Sequence, residues 1–243
     1  HCMDKCMRNH YECPVNIRGT KLQAAEGAFE ELLAITEMSR EGEKVAIIGG
    51  GPAGLAAAYH AQKHGLQATV FEKRETLGGI VRNVIPGFRI GDDAIDNDIA
   101  LIKKTGAEFV MGKEAPDVKE LKTMGFDYIV LACGAEKKGR LNIEGNVMNV
   151  IDFLYAFKNG GELKLGRNVA VVGGGNTAMD AARAAKRAEG VEKVTLVYRR
   201  NRRYMPADLE ELELAIEDGV EFMELASPVK QANGKLVCNK MKL

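Results

Sequence analysis

Two glycine-rich segments, each preceded by four apolar residues, constrain the fold of this chain more than any other feature. They are Gly49-Gly50-Gly51-Pro52-Ala53-Gly54 and Gly173-Gly174-Gly175-Asn176-Thr177-Ala178. In dinucleotide-binding folds the first glycine permits a tight turn from strand to helix, the second lets the backbone approach a pyrophosphate, and the third lets helix and strand pack closely. Each segment opens an Ala-rich run that predicts a helix, at 55–64 and 178–188. We therefore expect two nucleotide sites, and two nucleotides in one chain suggest electron transfer between them.

The strand predicted after each glycine segment distinguishes the two sites. The strand at 67–72 ends in Glu72, and a carboxylate there can accept hydrogen bonds from an unphosphorylated ribose, so the first site fits FAD or NAD. The strand at 193–198 is followed instead by Arg199 and Arg200, and then by Arg202 and Arg203. Guanidinium groups suit a 2′-phosphate, so the second site fits NADPH better than NADH. The other interpretation of these arginines is a solvated basic turn.

Composition excludes several other classes of function. Lys plus Arg equals Asp plus Glu, at 34 each, so no global charge favours nucleic acid or an anionic membrane. No apolar run reaches the roughly 18 to 20 residues that span a bilayer, and the first residues do not form a signal peptide, so we expect a cytoplasmic protein. Five cysteines do not suggest a disulfide framework, and Cys133 stands alone, which excludes a thioredoxin-reductase-type dithiol. We predict no catalytic side chain of the protein's own.

Alternating strands and helices predict an α/β fold with two Rossmann-like, three-layer domains. We expect a cysteine-bearing helical segment at 1–40, a first nucleotide domain at 41–148 and a second at 149–243. An amphipathic helix is predicted over 21–39 in the first segment. Further predicted elements are helices at 94–104, 150–158 and 208–218, and strands at 108–110, 128–132, 221–223 and 235–238.

Five motifs occur in an order that resembles the small (beta) subunit of glutamate synthase and its relatives, which are NADPH-dependent flavoproteins that carry iron-sulfur clusters. They lie at 49–55, 85–89, 132–135, 173–180 and 198–207. The resemblance covers nearly the whole chain. It implies that hydride passes from NADPH to FAD, and that electrons continue through an iron-sulfur relay to a partner subunit or domain that accepts them. It does not indicate the final acceptor.

The resemblance also implies a set of residues for each cofactor. The FAD set is Gly49, Gly51, Pro52, Ala53, Gly54, Glu72, Lys73, Gly79, Ile85, Ala132 and Gly134. The NADPH set is Gly173, Gly175, Asn176, Thr177, Arg199 and Arg200. In these sets the glycines hold the pyrophosphates, Glu72 holds the FAD ribose, and Gly79 with the backbone at Ile85 approaches the isoalloxazine.

Three cysteines near the start of the chain resemble part of a cluster-binding stretch. Cys2, Cys6 and Cys13 are candidate metal ligands, and Pro14 follows the last of them, as a proline often does in iron-sulfur sites. Three ligands are one fewer than a cluster requires, so we expect an incomplete cluster or one that is completed from outside. A zinc site that includes His10 and the absence of any metal are the alternatives.

The chain starts at His1 and stops at Leu243, before the segment with which the family chain returns to its FAD domain and covers the flavin. We therefore expect a fragment in which FAD is bound weakly or not at all. The leading hypothesis is an NADPH-oxidising FAD oxidoreductase module. The alternative is a non-catalytic nucleotide-binding fragment that serves electron transfer or acts as a scaffold.

Overall fold

The computed structural model describes residues 3, 5–35, 41–135, 139, 141 and 143–242. The chain divides into two compact units, and each is built from two stretches of sequence. The first unit comprises His1–Leu77 and Asp96–Cys133, and the second comprises Gly78–Ile95 and Gly134–Leu243.

Helices and strands alternate along most of the described chain. The helices are α1 (Ile17–Gly27), α2 (Phe29–Ile35), α3 (Pro52–Lys63), α4 (Gly79–Asn83), α5 (Asp92–Lys104), α6 (Val118–Thr123), α7 (Val150–Lys158), α8 (Asn176–Arg187) and α9 (Leu209–Glu217). The strands are β1 (Lys44–Ile48), β2 (Gln67–Glu72), β3 (Glu108–Met111), β4 (Tyr128–Leu131), β5 (Asn168–Val172), β6 (Lys193–Val197), β7 (Glu221–Met223), β8 (Ala226–Ala232) and β9 (Lys235–Lys240). Short 3-10 turns lie at Met7–His10 and Arg202–Tyr204.

The first unit is organised around a four-stranded parallel sheet in the order β3-β2-β1-β4. Ile47 of β1, fully buried, lies opposite Val70 on one side and Val130 on the other. Parallel strands that are covered on both faces have continuous apolar sequences, which explains why β1 reads Val-Ala-Ile-Ile. Ala46, Phe71 and Leu121 form a buried hydrophobic cluster of this unit. Because β1 and β2 are paired in register up to Ile48 and Phe71, their carboxyl ends lie side by side at one edge of this sheet.

The second unit repeats this arrangement with a three-stranded parallel sheet in the order β5-β6-β7. Its core is centred on α8, in which every residue from 178 to 185 is buried. Met179 packs there with Leu196 of β6 and Leu212 of α9. The strands β8 and β9 form a separate antiparallel hairpin that contains an irregularity between Pro228 and Lys230.

The predicted α/β class with parallel Rossmann-like sheets is confirmed. The single helix predicted at 21–39 is wrong, because α1 ends at Gly27, Ala28 leaves the helical conformation (φ −102°, ψ 1°), and α2 begins at Phe29. Glycine is a poor helix former, which favours a break at this position. Residues 36–39 of that prediction lie outside the described residues. No helix in the described part of the chain is long and apolar enough to cross a membrane.

Candidate nucleotide-binding sites

The first glycine segment forms the turn from β1 to α3. Gly49 adopts a φ of +112°, which favours glycine, and its N–H donates to the Phe71 carbonyl across 2.8 Å. A Cβ at Gly54 would overlap the Gly49 carbonyl, so only glycine allows this close packing of helix and strand. α3 begins at Pro52 without a side-chain cap at Gly51, and both Pro52 and Ala53 are exposed. Its first amides can therefore meet an anion.

Glu72 ends β2 beside this turn, as the sequence predicts, but it also has a role in holding the turn. Its side chain is buried, and its Oε2 accepts a hydrogen bond of 2.7 Å from the Gly50 N–H. Its Oε1 accepts one of 2.9 Å from the Arg74 N–H. A carboxylate has about four acceptor positions, so the same side chain can still accept from ribose hydroxyls. The exposed Lys73 follows it directly.

The remaining residues of the predicted FAD set are divided between the units. Ala132 belongs to the first unit, where its N–H donates to the Ile48 carbonyl across 2.8 Å beside the glycine turn. Gly79, Ile85 and Gly134 belong to the second unit. Within the first unit the structure therefore brings together the glycine turn, Glu72 and Ala132, and this part could hold the ADP half of FAD.

The second glycine segment forms an equivalent turn from β5 to α8. The Gly173 N–H donates to the Val197 carbonyl across 3.1 Å, and the N-cap residue Gly175 supplies no side-chain cap. A Cβ at Gly175 would meet nothing within 4 Å, so the space beside the backbone is open. Thr177 in the first turn is exposed. These features allow a pyrophosphate to reach the amino end of α8.

Arginines lie just after β6, whereas Glu72 is the last residue of β2. Arg199, Arg200 and Arg203 are exposed and have no ion-pair partner among the described residues. Arg202 differs, because its guanidinium group pairs with Glu213 at 3.0 Å. Its backbone N–H donates to the Glu224 side chain across 2.7 Å. Three positive side chains are therefore available to an anion beside the second glycine segment. Arg203 is therefore a further candidate ligand, and only the structure distinguishes it from Arg202, which is paired.

A buried charge cluster connects the segment at 78–95 to α8 and α9 within the second unit. Arg89 is the ion-pair partner of Asp180, at 3.4 Å, and of Glu211. The side chains of Asp180 and Glu211 are only 9% and 11% exposed, and no well-aligned hydrogen bond from a described residue reaches Asp180 Oδ1 or Glu211 Oε2. Burial raises the pKa of Asp180 and the Arg89 charge opposes this rise. Sequence reasoning did not detect this cluster, because its members are distant in sequence.

A second set of charges lies next to it. Arg183 and Arg187 both donate to Asp218 at 2.6 Å, and both guanidinium groups lie over the Phe88 ring, 4.8 and 4.5 Å from its centre. Hydrogen bonds from Arg187 and then Arg183 lower the pKa of Asp218, although partial burial opposes them. Phe88 and Arg89 thus both attach their segment to α8.

Two of the three cysteines predicted as metal ligands lie in the described residues, and Cys2 lies outside them. Cys6 is partly buried, and backbone hydrogen bonds at Val15 and then Arg8 lower the pKa of its thiol. Cys13 is exposed. Among the described residues, no three His, Cys, Asp or Glu side chains are close enough to hold a metal ion. The iron-sulfur prediction, and zinc as its alternative, stay predictions.

Comparison with known proteins identifies relatives of the chain. It is 42% identical to the putative oxidoreductase YgfK of Escherichia coli K12 over its full length, and it spans 24% of that protein. It is 36% identical over 91% of its length to the NADPH-Fe(3+) oxidoreductase subunit beta of Geobacter sulfurreducens, of which it spans 35%. It is 31% identical over 99% of its length to the glutamate synthase [NADPH] small chain of Escherichia coli K12, of which it spans 55%.

These similarities confirm the predicted resemblance to the glutamate synthase small chain. The profile of the pyridine nucleotide-disulphide oxidoreductases matches residues 43–241, which include both glycine segments and both sets of residues at the strand ends. The chain belongs to the pyridine nucleotide-disulphide oxidoreductase family.

Proposed function

We propose that the chain is the NADPH-oxidising flavoprotein module of a larger oxidoreductase. The first glycine turn holds the ADP half of FAD, and the second holds NADPH. One observation carries this assignment: two equivalent glycine turns are followed by opposite charges. Glu72 is a buried carboxylate at the end of β2, whereas Arg199, Arg200 and Arg203 are exposed cations after β6.

The arginines favour NADPH over NADH because only NADPH carries a 2′-phosphate. Each charge-assisted hydrogen bond from a guanidinium group to a phosphate is worth roughly 1.5 to 3 kcal/mol, and forked contacts add geometric selectivity. No described carboxylate pairs with Arg199 or Arg200, so these side chains need not break an ion pair before they bind phosphate. The expected preference is therefore at least about tenfold.

The FAD site is proposed on the first turn and Glu72. The exposed amino end of α3 would face the pyrophosphate, and Glu72 would accept from the ribose while it keeps its bond to Gly50. Bound FAD would supply acceptance of a hydride and release of single electrons. The protein supplies the positions of both nucleotides. We propose 41–148 and 149–243 as the corresponding domains, although the stretches at 78–95 and 134–148 belong to the compact unit that contains the second glycine turn.

An electron-accepting subunit or domain is the proposed partner. The names of two relatives describe a subunit beta and a small chain, which are parts of larger enzymes. The chain spans only about a quarter of the relative from Escherichia coli to which it is 42% identical, so regions outside it could equally supply the acceptor.

Binding of NADP⁺ and NAD⁺ to the purified chain tests the NADPH assignment. Calorimetry should give a smaller dissociation constant for NADP⁺ than for NAD⁺, and a triple variant with Arg199→Ala, Arg200→Ala and Arg203→Ala should bind both nucleotides equally. Arg167→Ala is the matched control, because Arg167 is an exposed arginine that precedes β5 and pairs with Glu192 at 3.4 Å. Equal affinities in the unaltered chain would refute the proposal.

Reduction of ferricyanide tests the proposed activity. The chain supplied with FAD should reduce the dye with NADPH and poorly with NADH. A chain that binds NADP⁺ but remains colourless and inactive with FAD supports the non-catalytic alternative. Stoichiometric flavin retained through gel filtration would contradict the expectation of weak FAD binding.

A further inference from the structure

The loop that carries the arginines is attached directly to the second glycine turn. We call residues 199–207 the arginine loop and residues 173–176 the second glycine turn. The Asp208 N–H donates to Asn176 Oδ1 across 3.1 Å, and the Ala207 N–H donates to the Gly174 carbonyl across 3.0 Å. The end of the arginine loop is therefore bonded to both sides of the turn that faces the pyrophosphate.

Tyr198 holds the start and the middle of the same loop. Its ring packs on Gly174 so closely that a Cβ there would lie 2.6 Å from Tyr198 Cδ2. Its hydroxyl donates to the Tyr204 carbonyl across 2.6 Å, which closes the arginine loop on itself. Its own N–H donates to the Met223 carbonyl across 2.9 Å, which attaches it to β7. Tyr198 is buried, at 8% exposed.

Arg202 helps to hold the arginine loop in place, and its guanidinium group is not available to an anion because it is paired. Its bonds to Glu213 and Glu224 fix the 3-10 turn at Arg202–Tyr204. Arg199, Arg200 and Arg203 therefore project from a backbone that is held at its start, its middle and its end.

We propose that Tyr198 and Asn176 are positioning residues that set the distance between the 2′-phosphate site and the pyrophosphate site. This inference rests on the proposed binding of NADPH. The 2′-phosphate and the pyrophosphate of NADPH are attached to C2′ and C5′ of the same ribose, so the distance between them varies little. The cations that bind the 2′-phosphate must therefore keep a nearly constant distance from the turn that holds the pyrophosphate. Arginine side chains are flexible, and a fixed loop backbone reduces the entropy that they lose on binding. The side chain of Asn176 holds the end of the arginine loop by accepting the hydrogen bond from the Asp208 N–H.

The variant Tyr198→Phe removes one hydroxyl and keeps the ring on Gly174. The readout is the ratio of the dissociation constants for NAD⁺ and NADP⁺, which differ only in the 2′-phosphate. Loss of one hydrogen bond of the arginine loop should reduce this ratio roughly three- to tenfold, through weaker NADP⁺ binding. Binding of NAD⁺ should stay within about twofold, because the glycine turn is unchanged. Tyr128→Phe is the matched control, since that hydroxyl donates to Glu43 at 3.0 Å in the first unit.

Asn176→Ala provides a second variant, which removes the bond to Asp208. Because Asn176 also belongs to the proposed pyrophosphate set, this variant should weaken binding of both nucleotides, and it should in addition reduce the ratio. Melting curves should show that both variants remain folded. An unchanged ratio in both variants, or an equal loss of NAD⁺ and NADP⁺ binding, would overturn the inference while the NADPH assignment stands. A ratio near one in the unaltered chain would instead refute the NADPH assignment, and this inference with it.

Discussion

Replacement of Arg89 by methionine should destabilise the second unit, because it leaves two buried carboxylates without their main positive partner. Arg89 pairs with Asp180 and Glu211, whose side chains are about one-tenth exposed. Methionine keeps much of the length and apolar volume of arginine and removes only the charged group. The variant therefore isolates the electrostatic contribution of this cluster.

The structure allows an estimate of the magnitude. Removal of one partner from a buried ion pair costs about 3 to 5 kcal/mol. Arg89 itself is 26% exposed, so water can partly replace it, and we expect a loss of about 3 kcal/mol in the free energy of unfolding near neutral pH. A loss of this size is a large fraction of the roughly 5 to 15 kcal/mol that stabilise a typical domain.

The loss should depend on pH in a defined direction. Burial already raises the pKa of Asp180, and Arg89 counteracts this rise, so the variant should raise the pKa further. A carboxyl group whose pKa is higher in the folded than in the unfolded state destabilises the fold while it is ionised. This penalty is present above the folded pKa and disappears as the pH falls towards the unfolded value of about 4. The difference between variant and unaltered chain should therefore shrink as the pH is lowered from neutrality towards about 4.

Calorimetric unfolding at several pH values measures this effect and can separate the transitions of the two units. Addition of Asp180→Asn to Arg89→Met should restore part of the stability at neutral pH. Arg167→Met is the control, because its partner Glu192 and Arg167 itself are both exposed, and it should change stability by less than about 0.5 kcal/mol. The reasoning fails if Arg89→Met costs the same at every pH or if Asp180→Asn gives no recovery.

Two further predictions follow from close contacts in the structure. Gly54→Ala should lower the free energy of unfolding of the first unit by at least about 2 kcal/mol in urea titrations, because its Cβ would overlap the Gly49 carbonyl. Gly27→Ala, where the Cβ meets nothing within 4 Å, should be neutral or slightly stabilising. Asp218→Asn should cost about 2 kcal/mol at neutral pH, since it weakens the bonds from Arg187 and Arg183. These bonds lower the pKa of Asp218 in the folded chain. The stability difference between Asp218→Asn and the unaltered chain should therefore be present above the unfolded pKa of about 3.9 and vanish as the pH falls through the folded pKa. A full stability cost at the lowest pH would contradict this prediction.

Local patterns predicted the parts of the fold that depend on neighbours in sequence. The apolar run of β1 and the glycines at 49 and 54 are separated by a few residues, and the turn geometry follows from their spacing. The limits of α7, at Val150–Lys158, agree with the predicted helix for the same reason. The short helices α4 and α6 were not predicted, because five or six residues give too little periodicity to recognise.

Contacts between distant residues were beyond such reasoning. The bond between Glu72 and Gly50 spans 22 positions, and that between Asp208 and Asn176 spans 32. The sequence indicated Glu72 and Asn176 as nucleotide ligands, but it did not reveal that each side chain also holds a glycine turn in place. Their assignment as ligands stays a proposal.

Short stretches of sequence determine the two glycine turns and the opposite charges that follow them, because strand, turn and helix are consecutive there. The arrangement of Phe88 and Arg89 on α8 depends instead on the tertiary structure, which places the segment at 78–95 in the second compact unit. The same holds for the attachment of the arginine loop to the second glycine turn. Burial decides which charges need partners, and burial arises only when segments far apart in sequence pack together.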